Sequence, residues 1–191
     1  MALPKKENAS NLRNIMATKS TINKTNLNIA NMDTNYYAEH SLILAQHPSE
    51  NDLRLMVRIL AFIFNANEDL IFCKGIAQDD EPDLWQKNLS GDIELWVDLG
   101  QPDEKRIKKA CGRSDKVIIY TYQEGMANSW FTQNKKLLNR LKNLSIVYLK
   151  IDGDIEELCE RSMSLQANIS DNELNLIAGE NSIFIAEDIW K

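Results

Sequence analysis

The chain has 191 residues, 43% of them hydrophobic, which is enough for a single domain with one continuous core and no need of disulfide or metal staples. Its formal net charge of −6 and pI near 5.0 exclude a generally basic, nucleic-acid-coating protein, so any contact with nucleic acid has to come from a local basic patch. The longest mostly apolar run, Leu53–Phe64, is interrupted by Arg54 and Arg58 and falls short of the ~20 residues a membrane span requires.

Residues Met1–Ile15 are polar and rich in Asn and Lys, with little periodicity, and read as a disordered leader ahead of one domain over 16–191. No charged-then-apolar signal region opens the chain. Cys73, Cys111 and Cys159 lie far apart without CxxC spacing, the pattern of free thiols in a reducing cytoplasm.

Alternation in Thr18–Met32 and Tyr37–Gln46, with turn residues over Asn31–Asn35, predicts an antiparallel hairpin. Ser49 reads as the N-cap of a helix running to about Asn65, with Leu53, Met56, Val57, Leu60 and Ile63 as its buried stripe. Leu70–Ile76 is a short apolar strand, followed by an acidic loop, Gln78–Asp83. Asp92–Gly100 is the next strand, with Ile93, Leu95, Val97 and Leu99 on one face and Glu94, Trp96 and Asp98 on the other. Pro102 opens a helix, and Lys116–Tyr122 is a strand apolar on both sides. A helix over Ala127–Leu141 and a strand over Ser145–Ile151 complete two crossover units, which favour parallel pairing. Three further strands, Met163–Ser170, Leu174–Ile177 and Ile183–Ala186, end the chain. The expected fold class is α/β, a mixed sheet flanked by helices, parallel in the middle and with antiparallel hairpins at its edges.

Asp98 lies near the end of a strand and before a glycine, where α/β folds commonly bind ligands. The acids Asp79, Asp80, Glu81 and Asp83 sit a loop away. Carboxylates brought together make a hard oxygen site suited to Mg²⁺ or Mn²⁺; the plainer reading is a solvated loop, with Asp98 capping the helix region that follows. Glu50, Arg54 and Arg58 recur at four-residue steps, either as an exposed ion-pair ladder or as an outlying metal ligand with two phosphate contacts. In Lys105-Arg106-Ile107-Lys108-Lys109, Lys105 and Lys109 point outward, while Arg106 and Lys108 flank the buried stripe and are placed to fold back toward Asp98. His40 and His47 have no metal spacing, and His47 before Pro48 suits an orienting hydrogen bond. No GxSxG, P-loop, GxGxxG or HExxH pattern occurs.

Several of these segments, taken together, resemble one family. His47-Pro48-Ser49-Glu50 with Arg54, Asp79-Asp80-Glu81-Pro82 with Trp85, Leu95-Trp96-Val97-Asp98-Leu99-Gly100, Pro102-Asp103-Glu104, Arg106-Ile107-Lys108-Lys109-Ala110, Asn143-Leu144-Ser145 and Leu165-Gln166-Ala167 are similar to motifs of the YaeQ family of bacterial proteins, over roughly Met16–Ile185. That resemblance implies a variant of the restriction-endonuclease-like fold of the PD-(D/E)XK nuclease superfamily. Carried onto this sequence, it makes Pro82-Asp83 the "PD", Asp98 the "D/E" and Glu50 the helix-borne acid, so that Glu50, Asp83 and Asp98 would hold Mg²⁺ or Mn²⁺. Gly100 stands where the lysine is expected, leaving Arg106 or Lys108 as its substitute, and Arg54, Arg58, Arg106 and Lys108 form the local patch for nucleic acid. Two functions follow as expectations: a metal-dependent nuclease or phosphodiesterase, or a non-catalytic protein of the same fold that binds metal, nucleic acid or a regulatory partner.

Overall fold

The structure is a computed structural model that describes residues 20–74 and 80–191. The leader Met1–Ile15, Gly75 at the end of the third predicted strand, and Asp79 lie outside the described residues.

In chain order the elements are β1 (Thr21–Asn31), β2 (Tyr36–Gln46), α1 (Asp52–Phe64), β3 (Leu70–Phe72), β4 (Leu84–Lys87), β5 (Ile93–Leu99), α2 (Glu104–Arg113), β6 (Ser114–Thr121), α3 (Glu124–Leu138), β7 (Leu144–Asp152), a 3-10 turn (Ile155–Leu158), β8 (Ser162–Ser170), β9 (Glu173–Ala178) and β10 (Asn181–Ile189). All ten strands join one sheet in the order β2-β1-β8-β9-β10-β7-β6-β5-β4-β3. The predicted parallel centre is present as β5-β6-β7, and the predicted hairpin as β1-β2. A second parallel pair, β1 with β8, was not foreseen; it joins segments more than 130 residues apart, as in Lys24 opposite Ser162. The Asp33 carboxylate supports that pairing by accepting from the backbone N–H groups of Asp171 and Asn172, both at 2.9 Å.

Helix α1 decides the shape. Nine consecutive residues, Leu55–Ile63, are buried, so the helix has no wet face over that stretch. Inward residues from every strand, among them Leu27, Leu44, Leu84, Val97, Tyr120 and Leu149, share its core cluster. The sheet therefore curls round α1, and the one-sided stripe expected from the sequence becomes burial on all sides. The two edge strands, β2 and β3, come to face each other across a groove of about 620 Å³ lined by Tyr36, His40, Phe62, Leu70 and Phe72, so the sheet is nearly closed. A second, smaller core lies on the outer face of β5-β6-β7, where Trp96, Val117, Ile119 and Ile146 pack against Ile107 and Ala110 of α2 and Trp130 and Leu138 of α3.

Local chemistry sets the helix starts. Asn51, not Ser49, caps α1, its side chain accepting from Arg54 N at 2.9 Å. Ser49 is instead held in a turn, its N–H donating to His47 Nδ1 at 3.1 Å, while the Glu50 N–H donates to His47 O. That is the orienting role expected of His47. Asp103 caps α2 by accepting from Arg106 N at 2.7 Å, with Pro102 just outside the helix. Strand β4 was not among the expected strands. Cys73, Cys111 and Cys159 are all free thiols.

Inside the sheet, Tyr120 Oη donates to Glu187 Oε1 at 2.9 Å and accepts from Asn65 Nδ2 at 2.8 Å. Burial raises the Glu187 carboxyl above its ordinary range, against the opposing effects of the Tyr120 hydrogen bond and Lys116. A raised carboxyl binds its proton more tightly in the folded state, so its contribution to stability is present at low pH and lost as pH rises through the raised value. Glu187→Gln keeps an acceptor for Tyr120 and removes the charge. It is expected to raise the thermal midpoint by about 1–2 °C at pH 7 and by nothing near pH 4. Equal shifts at both pH values in calorimetry would refute this account.

Candidate functional site

Three acids and three arginines meet at the end of the β4-β5 pair. The antiparallel register sets Leu84 opposite Val97, so Asp83, one residue earlier, falls beside Asp98. Its backbone continues the ladder: Asp83 N donates to Val97 O at 3.0 Å, and Asp83 O accepts from Cys73 N at 2.9 Å. Its Oδ2 also accepts the Leu99 N–H at 3.1 Å. Pro82-Asp83, expected in a loop, thus leads straight into a strand. Asp98 is on the penultimate position of β5, ahead of Gly100, whose φ of +83° turns the chain toward α2.

The arginines arrive from the two helix layers. Arg106, in the first turn of α2, forks onto Asp98, with Nε to Oδ2 at 2.9 Å and Nη2 to Oδ1 at 2.7 Å. Its Nη2 also donates to Glu81 O at 2.9 Å, fixing the acidic loop. On the α1 side, Arg54 Nη1 donates to Glu50 Oε1 at 2.9 Å, and its Nη2 lies 2.8 and 2.9 Å from the two Asp83 oxygens. Arg58 Nη1 donates to Glu50 Oε2 at 2.9 Å and Nη2 to Cys73 O at 3.2 Å.

Burial makes this arrangement consequential. The carboxylates of Glu50, Asp83 and Asp98 are 1–2% exposed, whereas Arg54 and Arg106 keep 16% and 25%. The exposed ladder weighed for Glu50, Arg54 and Arg58 is therefore a buried network. Arg58, only 1% exposed as a residue, is no part of a surface patch. Burial pushes the Asp98 carboxyl up; Arg106 opposes the shift and Asp83 adds to it. Tyr122, just past β6, has its hydroxyl raised by burial and by Asp83 and Glu50, with Arg54 opposing, so a neutral phenol borders the cluster.

Lys108 stays away: it is exposed and pairs with Glu104 one turn back, because its position on α2 faces solvent and not β5. Lys109, expected to point outward, pairs with Asp80. Of the residues singled out from the sequence, the structure brings together Glu50, Arg54, Arg58, Asp83, Asp98 and Arg106. The link from Arg54 to Asp83, 29 residues away, had no sequence signal.

A divalent cation would need carboxylate oxygens with free lone pairs facing one point. Here every oxygen of Glu50, Asp83 and Asp98 lies within 2.9 Å of a guanidinium nitrogen, and only Asp83 Oδ1, buried 4.0 Å from the likewise unpartnered Arg58 Nε, completes no hydrogen bond among the described residues. Three negative and three positive charges leave the cluster neutral. Among the described residues no group of three or more His, Cys, Asp or Glu is arranged to hold a metal. The donor set as arranged does not fit the Mg²⁺ or Mn²⁺ expected from the sequence.

Fold and cluster define a class: a nearly closed mixed sheet wound round one helix, with acids on a strand pair neutralised by arginines from both helix layers. Residues 16–187 match the model of the family described as "YaeQ protein", and the chain belongs to the YaeQ family. It is 39% identical over 178 residues to "Uncharacterized protein YaeQ" of Escherichia coli K12, covering 92% of this chain and 98% of that one. The Salmonella typhi protein of the same name is 40% identical over 179 residues, with the same coverage. Among crystal structures, the YaeQ protein of Xanthomonas axonopodis pv. citri superposes with a TM-score of 0.85 at 40% identity, over 90% of this chain and 98% of that one. The YaeQ protein of Pseudomonas syringae gives 0.84 at 28% identity, over 90% and 96%. Among the described residues no helix is long and apolar enough to cross a membrane.

Proposed function

We propose that this chain is a nuclease-fold protein that acts by binding nucleic acid without hydrolysing it. The PD-(D/E)XK reading is supported by the resemblance of Pro82-Asp83 and Asp98 to that motif and by Asp83, just ahead of β4, falling beside Asp98 on β5. The observation that carries the non-catalytic reading is the pairing of each of the three carboxylates with a guanidinium of Arg54, Arg58 or Arg106. A desolvated network in which each acid faces a guanidinium is held by that attraction, and breaking one partner is costly. The cluster then serves as a rigid clasp between α1, the β4-β5 pair and α2.

The second reading, a Mg²⁺- or Mn²⁺-dependent phosphodiesterase, is favoured by the adjacency of Asp83 and Asp98. It requires Arg54 and Arg106, the two cations of the cluster with solvent access, to leave their carboxylates. Incubation of mixed DNA and RNA with the wild type and Asp98→Ala, in Mg²⁺ and in Mn²⁺, separates the two. The expected result is no metal-dependent cleavage by either, and no saturable Mn²⁺ binding in calorimetry. Cleavage by the wild type that Asp98→Ala abolishes would overturn the binding-only reading.

A further inference from the structure

The charge of this chain is divided unevenly. Between Glu104 and Lys142 there are ten Lys and Arg against three Asp and Glu, a net of 10 − 3 = +7. With −6 for the whole chain, the remainder carries −6 − 7 = −13. That basic segment comprises α2, β6 and α3, and both helices cover the same outer face of β5-β6-β7. Their C-terminal ends are tied together, since Asn143 Nδ2 donates to Cys111 O at 3.0 Å and to Ser114 O at 2.9 Å.

The excess is sharpest on α3. From Gly125 to Lys142 the chain has no carboxylate, although acids outnumber Lys and Arg by 28 to 22 overall. Lys135, Lys136, Arg140 and Lys142 are all exposed, and no carboxylate lies within ion-pair distance of them among the described residues. Arg113 is exposed at the adjoining end of α2, where its Nη1 donates to Asp80 O at 3.4 Å and, behind the hydrogen bond and charge of Lys109, its charge helps to lower the Asp80 carboxyl. The helix dipole favours cations in a last turn, which accounts for Arg113, Lys135 and Lys136. It gives no reason for eighteen residues without a carboxylate, nor for the exposed Asn128, Ser129, Thr132, Gln133 and Asn139 on the same helix. Cations interleaved with amide and hydroxyl donors, without acids, suit phosphate oxygens. A membrane-binding face would add Trp, Phe or Leu between the cations, and Met126, at the far end of α3, is the one exposed large hydrophobic residue of that helix.

We propose that the outer face of α3, with Arg113 at its margin, binds the phosphodiester backbone of nucleic acid without reading its sequence. This rests on the nucleic-acid-binding reading above and places the contact away from the Asp83–Asp98 cluster, since the α3 cations lie toward the start of β7 while Asp98 lies near the end of β5. The test is fluorescence anisotropy with a short DNA duplex and the RNA duplex of the same sequence, using the full chain at about 50 to 200 mM salt. Four phosphate contacts predict a log–log salt slope of about −3 to −4, roughly a 100-fold loss over that range. The variant Lys135→Glu/Lys136→Glu/Arg140→Glu/Lys142→Glu is expected to bind on the order of 100-fold more weakly at the lower salt, with its thermal midpoint within about 2 °C of the wild type. Should that variant fail to fold, Lys135→Gln/Lys136→Gln is expected to reduce the slope by about 2.

Wild-type affinity in the charge-reversed variant overturns the proposal, as does loss of binding in Arg106→Gln alone. Binding of the wild type to phosphatidylserine vesicles but to neither duplex also overturns it. Metal-dependent cleavage of a duplex that still requires α3 for binding would sink the non-catalytic reading and leave this surface standing.

Discussion

Arg58→Ala is expected to lower the unfolding free energy by about 3–5 kcal/mol, the range for removing one partner of a buried ion pair. Arg58 is 1% exposed and is the partner of Glu50 Oε2, and it also donates to the Cys73 carbonyl. Its removal leaves Glu50 desolvated with Arg54 alone, orphans a backbone acceptor, and opens a cavity beside Phe72, whose ring lies 5.8 Å from the guanidinium carbon. Because most of the loss comes from the charge left behind, Glu50→Gln/Arg58→Met should be more stable than the sum of its single changes by at least about 2 kcal/mol. Urea unfolding followed by tryptophan fluorescence measures both. A loss under about 1 kcal/mol in Arg58→Ala would mean that the network contributes little to the fold.

Asp83→Ala should destabilise the metal-free protein by about 2–4 kcal/mol, because it orphans the buried Leu99 N–H and takes one of the two acid partners from Arg54. Asp83→Asn keeps an acceptor for Leu99 and is expected to lose about half as much. The sign of the effect matters more than its size. In a centre built to hold a cation, carboxylates repel one another when the cation is absent, and deleting one stabilises the fold. In a clasp whose acids are each matched by a guanidinium, the same deletion breaks attraction. Chemical denaturation in chelator-containing buffer reads the sign directly, and a gain in stability for Asp83→Ala would remove the basis of the clasp.

These two substitutions act on contacts that the sequence disclosed unequally. Glu50 with Arg54 is an i,i+4 pair, legible as such, and Arg106 near Asp98 followed from a short strand-to-helix connection. Asp83 entered through the family resemblance, because a four-residue strand such as β4 is too short for alternation to stand out. The apolar stripe of α1 is legible in the sequence, and Leu55–Ile63 is apolar almost all round, the signature of an enclosed helix. Lys108 was misplaced because flanking positions on a helix are equivalent in sequence until a neighbouring strand makes them different. The α1 cap moved from Ser49 to Asn51, two residues that are both good caps, once His47 had drawn Ser49 into its turn.

The sequence by itself determined the hairpin, the parallel centre, the strand that carries Asp98, the helix after Pro102, and membership of the YaeQ family, because period, punctuation and motif are local properties of the chain. Only the tertiary structure decided that the sheet wraps α1, that β1 runs parallel beside β8, and that three acids end up facing three arginines. Those outcomes depend on which distant segments share one interior. Once Glu50, Asp83 and Asp98 lose water, the nearest cations must neutralise them, and no count of charges along the chain says which cations those are.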